Sequence, residues 1–324
     1  MIRIEQCGWL TTIQDEPRNG WQSYGVSMGG AMDTYAWFTA NALVLNEMHT
    51  AVLEITQSPH RFYTDENMVV AFAGGGLQPI CNGKQLALYM PHFIPAGSEL
   101  VLTDPLPGFR LYMSVMGGFE ANKMFGSCAT DISLSAGGYN GKLLRKGNLL
   151  RVHTYRSEEQ KRMFSMLSKN ASITPLNFSH PYKGNEINVY PGAEYYCLSD
   201  AAKQQISKAS FTIGMSSNRM GYLLENNATE AINKNEIISS PVTQGTIQRL
   251  PSGAAMLLMA DAQTMGGYPR ILQTAMTDLP KLAQKKPGES IYFCLITKKN
   301  ACTLLQNRLK EQKQLKGRIL QWFK

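Results

Sequence analysis

Short strand-like runs separated by turn residues occupy most of this chain, and this pattern restricts the fold more than any other feature. The run "NMVVAFA" at 67–73 ends at three glycines, and "GSELVLTDPLPGFRLYMSVMGG" at 97–118 places two such runs around a Pro-Gly turn. An Asn-Gly pair at 82–83 provides another hairpin signal. Similar runs return between residues 186 and 296. The sequence therefore predicts a mainly β protein of the barrel or sandwich type.

A few helices are expected among the strands. Residues 34–48 are helix-prone with Asp33 at the N-cap position, and residues 199–207 form a second candidate helix with Ser199 as its cap. The tail "CTLLQNRLKEQKQLKGRILQWFK" carries a broken apolar stripe between good helix formers, which predicts a C-terminal helix.

A chain of 324 residues is long enough for two domains. Residues 155–185 change from a charged, helix-prone start to a segment rich in Asn, Ser and Pro, which is typical of a domain boundary. We therefore predict a first domain at 1–165, a second at 166–298 and a basic C-terminal helix or tail at 299–324.

The net charge of +8 is concentrated at one end of the chain. Residues 298–324 contain eight Lys or Arg and one acid, Glu311, so the rest of the chain carries about +1. We expect the tail to dock its leucine face on the body; a helix that binds a partner or an anionic surface is the alternative. With no basic, aromatic-interleaved patch in the body, nucleic-acid binding is not expected.

The spacing of the cysteines and the lengths of the apolar stretches indicate in which cellular compartment the protein is expected. The six cysteines include no C-x-x-C pair, which suits reduced thiols better than a disulfide framework or a zinc site. The five histidines have no H-x-x-x-H spacing, so no metal site is expected. No window reaches the roughly 18 apolar residues of a membrane span, and the N-terminus lacks a signal-peptide pattern. We predict a cytoplasmic protein that does not enter membranes.

Several familiar active-site motifs are missing. The pairs Gly83-Lys84 and Gly141-Lys142 are not followed by Ser or Thr, so neither is a P-loop. "AFAGGG" does not continue as G-x-G-x-x-G, which argues against a dinucleotide-binding fold. "GVSMG" around Ser27 has the spacing of a nucleophile elbow but lacks the strand that should precede it.

Polar residues and glycines cluster in one segment of each half. In the first half, "TTIQDEPRNGWQSYGVSMGGAMDTYAWFTANALVLN" at 11–46 sets Asp15, Arg18 and Asp33 among glycines, which allow close approach of the main chain to a ligand. We expect these three residues to bind substrate. Asp33 could instead serve only as a helix cap.

In the second half, Arg219 precedes a glycine in "SSNRMGYLLE", and "ADAQTMGGYPRI" at 260–271 follows an apolar strand. Alternation along an extended chain would send Asp261 and Gln263 to one face, where a carboxylate and an amide could hold a planar urea-like or lactam-like group. The alternative is structural: Asp and Gln at strand ends often satisfy turn amides, and Arg219 could pair with a carboxylate.

These segments, with "VMGGFEANKMFGSCATDISLSAGGYNGKLLRKGN" and "ADAQTMGGYPRILQTAMTDLPKLAQKKPG", resemble the biotin-dependent carboxyltransferase-like family that contains allophanate hydrolase subunit 2, KipA and the C subunit of 5-oxoprolinase. The likeness runs in collinear order from about residue 3 to 298. It implies two cyclophilin-like β-barrel halves. Prolyl isomerisation does not follow from that likeness, because fold and function are separable.

The resemblance implies an enzyme subunit that is inactive alone. The implied reaction is ATP-dependent opening of 5-oxoproline to glutamate. Its implied partners are two further proteins, one KipI-like and one of the LamB/YcsF type, with ATP at a site shared with the KipI-like partner. Two alternatives remain: a KipA-like regulatory protein that sequesters a KipI-type kinase inhibitor, and the carboxyltransferase component of a biotin-dependent urea carboxylase. No Ala-Met-Lys-Met sequence is present, so biotin is not expected on this chain.

For the site, we expect Asp261, Gln263, Arg219 and Tyr268 to be catalytic, with Tyr268 as a lid and with donors also from the backbone around Gly266 and Gly267.

The chain departs from the family pattern at four positions. Pro17 replaces a Gly and Gly29 a small polar residue, while Cys128 and Leu223 stand where arginines are expected. Two fewer arginines should weaken anion binding, with either an altered substrate preference or binding without turnover as the result.

Overall fold

A computed structural model describes residues 1–57, 59–155, 157–169, 182–226 and 237–322. The fold is mainly β, as predicted. The chain divides into two compact units: the first comprises Met1–Pro17, Asp33–His180 and Lys310–Lys324, and the second Arg18–Met32 and Pro181–Leu309. The domain limits expected from the sequence stay a prediction, and the Asn-, Ser- and Pro-rich part of the boundary falls largely in residues 170–181, outside the described residues.

The first unit contains two antiparallel sheets. Its strands are β1 (Ile2–Gln6), β2 (Leu10–Gln14), β3 (Val52–Thr56), β4 (His60–Thr64), β5 (Met68–Gly74), β6 (Leu77–Cys81), β7 (Lys84–Gln85), β8 (Pro91–Ile94), β9 (Ser98–Pro105), β10 (Arg110–Val115) and β11 (Leu149–Leu150). One sheet has the order β11-β1-β4-β9-β6-β7 and the other β2-β3-β10-β5-β8. Their apolar side chains form one buried cluster that includes Ile13, Phe62, Phe72 and Leu111.

Helices α1 (Thr34–Leu43) and α2 (Glu158–Ser168) lie entirely within this unit. Asp33 caps α1, as predicted: its carboxylate accepts a hydrogen bond from the Ala36 amide at 2.8 Å. The helix ends earlier than residue 48, because Leu45 takes a left-handed φ of 57°. Ser157 and Gln160 form a reciprocal capping box at the start of α2.

The second unit is built on a closed barrel. Its strands are β12 (Glu186–Pro191), β13 (Ser210–Ile213), β14 (Gly221–Glu225), β15 (Ser240–Pro241), β16 (Thr246–Arg249), β17 (Ala255–Leu258), β18 (Met265–Gly266), β19 (Arg270–Thr274) and β20 (Ser290–Leu295). The barrel order is β12-β19-β16-β17-β14-β13-β20, and β15 pairs with β18 in a separate ribbon. Every barrel pair is antiparallel except β12 with β20.

Helices α3 (Asp200–Lys208) and α4 (Leu279–Ala283) accompany the barrel, and α5 (Lys298–Gln321) is the predicted C-terminal helix. Ser199 caps α3 through the Ala202 amide, as expected. On α5, Leu315 and Ile319 are buried, while most of its basic side chains are exposed. Within the described residues, no helix combines the length and apolar character needed to cross a membrane.

Candidate functional site

Arg219 and Asp261 are brought together in the second unit. Arg219 Nε donates to Asp261 Oδ2 and Arg219 Nη2 to Asp261 Oδ1, both at 2.8 Å. A third bond at 2.9 Å joins the Asp261 amide to the Arg219 carbonyl. The Arg219 side chain is 5% exposed and that of Asp261 21%. The two groups therefore form a charge-assisted, two-point ion pair at the edge of solvent.

The same arginine holds the glycine-rich segment Arg18–Met32. Arg219 Nη2 also donates to the Gly30 carbonyl at 2.8 Å, and the Gly29 amide donates to the Ala260 carbonyl at 2.9 Å. Gly29 and Gly30 both have positive φ, of 60° and 82°, which glycine adopts without a steric cost. The segment is thus anchored directly beside Asp261.

Arg18 lies at the start of this segment and is 1% exposed. Its amide donates to the Met28 carbonyl at 2.7 Å, which closes the segment into a loop. The Arg18 side chain is therefore part of the interior and does not face open solvent.

Asp261 and Gln263 do not lie in an extended strand, so the prediction that they share one face is wrong. Strand β17 ends at Leu258, and a turn follows in which the Ala262 amide donates to the Met259 carbonyl at 3.2 Å. Alternation therefore does not apply to these residues. Asp261 turns towards Arg219, whereas Gln263 is exposed.

Gly266 is tightly packed, whereas a Cβ on Gly267 would have no neighbouring atom closer than 3.5 Å. Gly266 is buried in β18, and a Cβ there would overlap the side-chain amide of Gln248. That amide donates to the Tyr268 carbonyl at 3.2 Å, so Gln248 supports the backbone of the expected lid residue. Tyr268 itself is 37% exposed. Gln248, 1% exposed, is a site-supporting residue that the sequence analysis missed.

In the first unit, Asp15 is buried and both of its carboxylate oxygens are bonded. Oδ1 accepts from the Ser127 hydroxyl and Oδ2 from the Cys128 amide, each at 2.6 Å. Burial raises the pKa of Asp15, and these hydrogen bonds offset part of that rise. Burial, with the nearby Asp15 charge, also raises the pKa of the Cys128 thiol to about 11, so Cys128 is a poor nucleophile.

Asp33 belongs to a buried polar network in the first unit. Its amide donates to the Tyr112 hydroxyl at 2.8 Å, and that hydroxyl donates to Glu54 Oε2 at 2.7 Å. Arg110 Nε lies 3.9 Å from Glu54 Oε1. Burial, then the charges of Glu54 and Asp33, raises the pKa of Tyr112 far above its usual value.

Asp33 is predicted from the sequence as a site residue, but its network partners Tyr112, Glu54 and Arg110 are not. The available signal was Glu54 in the apolar run "AVLEIT" at 51–56, because a carboxylate inside a buried strand requires a partner. Asp33 is thus a helix cap within a buried network, and its direct contact with substrate stays a prediction.

Among the described residues, no group of three or more His, Cys, Asp or Glu side chains is placed to hold a metal ion. Two surface grooves lie in the first unit, of about 430 and 440 Å³, and neither is lined by any of the expected site residues.

Comparison with known proteins identifies the class. Residues 24–295 match the family described as carboxyltransferase domain, subdomain A and B, and the chain belongs to that family. It is 32% identical to the 5-oxoprolinase C subunit of Escherichia coli K12 over 98% of this chain and 99% of that protein. The Haemophilus influenzae protein of the same name is 29% identical over 94% of each chain.

The chain is also similar to segments of much larger proteins. Urea amidolyase of Saccharomyces cerevisiae is 25% identical over 98% of this chain, which spans only 18% of that protein. The crystal structure of Kluyveromyces lactis urea amidolyase has the same fold, with a TM-score of 0.83 and 22% identity over 97% of this chain and 20% of that one. These likenesses agree with the family predicted from the motifs.

Proposed function

We propose that this chain is the C-type component of an ATP-dependent 5-oxoprolinase, acting with a KipI-like protein and a LamB/YcsF-type protein as the other two components. The observation that supports this assignment best is the match in length: two relatives that carry the name of the 5-oxoprolinase C component align with this chain almost from end to end. The proposed reaction converts 5-oxoproline to glutamate and ATP to ADP and phosphate. One water molecule opens the lactam and a second is consumed with ATP.

ATP is proposed to bind at a site shared with the KipI-like protein. In the described part of the chain, the Gly-Lys pairs do not form phosphate-binding loops: Asn82 and Gly83 make the hairpin turn between β6 and β7, and Gly141 lies in a turn bonded to Gly137. A nucleotide site completed by a partner would make the isolated chain inactive.

We assign substrate contact to solvent-reaching side chains of residues 261–268, the segment that contains the acidic partner of the ion pair. Gln263 and Tyr268 reach solvent, and the Asp261 carboxylate remains partly exposed, so these groups can meet a lactam at its oxygen and nitrogen. Arg219, bonded to Asp261 and to Gly30, acts through Asp261. The burial of Asp15, Arg18 and Asp33 favours a structural role for each of them within its own unit.

A second candidate is carboxyl transfer to urea or a related amide. It is favoured by the likeness to urea amidolyase, which covers 98% of this chain. Biotin would then arrive on a separate carrier protein. The same side chains suit both reactions, because urea and a lactam present the same planar amide to a carboxylate and a donor.

The test is reconstitution. The chain, co-expressed with the KipI-like and LamB/YcsF-type proteins, should release glutamate from 5-oxoproline only when ATP is present, and the chain alone should release none. Equal activity of the isolated chain would refute the shared site. ATP consumption that depends on urea, a biotin carboxylase and a biotinyl carrier would favour carboxyl transfer. Tight association with the KipI-like protein without any turnover would favour the KipA-like regulatory function.

A further inference from the structure

A groove in the first unit carries an unusually exposed tryptophan. The groove has a volume of about 430 Å³ and is lined by the turn after β1, including Cys7 and Trp9, and by residues 143–145. Trp9 is 91% exposed. A tryptophan in water leaves a large apolar area uncovered, and Trp is among the residues most enriched where protein partners bind strongly.

The groove is held by main-chain hydrogen bonds. The Leu144 amide donates to the Thr11 carbonyl at 2.9 Å, and the Gly147 amide donates to the Ile4 carbonyl at 2.8 Å. The Arg145 amide donates to the Asn148 side chain at 2.8 Å. A wall bonded to β1 and β2 in this way is preformed, so a partner would not have to order it on binding.

The charged side chains in this groove and in the adjoining segment 142–146 are basic. Arg145 lines it, and Lys142 and Lys146 are exposed in the same short segment. The residues that line the groove include no Asp or Glu. A ligand with an apolar side chain for Trp9 and carboxylates for the basic segment fits this surface by charge complementarity.

We propose that this groove docks an acidic segment of the KipI-like protein, with a bulky apolar side chain packed on Trp9 and carboxylates facing Lys142, Arg145 and Lys146. The inference rests on the proposed function for the existence of that partner. It adds the place and the chemistry of one contact, made by residues other than those of the candidate site.

The experiment measures association of the full chain with the KipI-like protein and, separately, with the LamB/YcsF-type protein, by size exclusion and calorimetry; a loss of association confined to the LamB/YcsF-type protein would overturn the choice of occupant. Trp9→Ala and Arg145→Glu should each weaken association at least tenfold, and the effect of Arg145→Glu should shrink at high salt. Trp9 is almost fully exposed, so its loss should leave thermal unfolding unchanged. Matched controls are Tyr196→Ala, an aromatic that is 76% exposed, and Lys208→Glu, an exposed lysine in α3; both should associate like the wild type.

Each outcome decides a different point. If the complex forms and both groove variants associate like the wild type, the docking inference is overturned and the proposed function stands. If the wild-type chain associates with neither partner protein, the proposed function fails and the inference falls with it. If the chain alone self-associates and Trp9→Ala abolishes this, the occupant is a second copy, and the assignment to an acidic partner is wrong.

Discussion

Arg219 donates hydrogen bonds to both carboxylate oxygens of Asp261, through Nε and Nη2, and Nη2 also donates to the Gly30 carbonyl. One buried cation therefore orients the acidic residue that follows β17 and anchors the glycine-rich segment Arg18–Met32. Asp261 is thus positioned by the arginine, and the arginine is held in place by both Asp261 and Gly30.

Breaking this ion pair should destabilise the protein. Arg219→Ala leaves Asp261 without its main cation and releases Gly30, and we expect a loss in the free energy of unfolding of about 3 kcal/mol, the lower end for a buried pair because Asp261 is partly exposed. Urea unfolding measures the loss. The control is Lys203→Ala, which removes a surface pair with Asp200 and should cost under about 1 kcal/mol. Equal small losses in both variants would show that the pair at Arg219 is not structural.

The neighbouring glycines 266 and 267 should differ on substitution. Gly266→Ala forces the Gln248 amide away from the Tyr268 carbonyl and should lower turnover of the reconstituted complex by about tenfold or more, because displaced site residues lose productive geometry. Gly267→Ala is the control, since its nearest neighbour would be 3.5 Å away. Similar turnover in the two variants would remove Gln248 and Tyr268 from the site.

Tyr112→Phe should destabilise the first unit. The change removes the acceptor of the Asp33 amide and a donor to Glu54 in a buried region, and we expect a loss of about 1–3 kcal/mol in the free energy of unfolding. Tyr292→Phe, at a tyrosine that is 46% exposed, should have little effect and serves as control. Chemical unfolding of both variants checks the prediction, and an unchanged midpoint for Tyr112→Phe would contradict it.

Asp15 should make stability fall as pH rises in the acidic range. Burial raises its folded pKa above the usual 3.8, so between that value and the folded pKa the native state holds more protons than the unfolded state. The free energy of unfolding then decreases with rising pH through this window. The slope should be lost in Asp15→Asn, measured by urea unfolding from about pH 3 to 7. Identical slopes in the two proteins would refute the raised pKa.

Glu194 provides the control of opposite sign. Its hydrogen-bonded ion pair with Arg270 lowers the pKa of Glu194, so its contribution to stability is present above the usual 4.5 and is lost as pH falls through the folded pKa. Glu194→Gln should therefore remove a fall in the free energy of unfolding as pH decreases through the acidic range. Asp15→Asn should instead remove a fall in that free energy as pH rises towards neutral.

Features that depend on neighbouring residues could be predicted from the sequence. The β character followed from strand runs and turn pairs, and the helix starts followed from Asp33 and Ser199, whose side chains cap amides three residues away. The end of α1 was missed because a left-handed Leu45 has no sequence signature. The family motifs also placed Arg219 and Asp261 in the candidate site.

The chain's own sequence thus determined its strands, its caps and the motif residues, because these depend on backbone preference and on partners within a few residues. Only the tertiary structure decided which polar groups meet. Asp261 bonds Arg219 across 42 residues, Asp15 bonds Ser127 across 112, and Tyr112 bonds Glu54 across 58. Such pairs form because a buried charge or hydroxyl must find a partner in the folded interior, and strand order and barrel closure determine which partner is within reach.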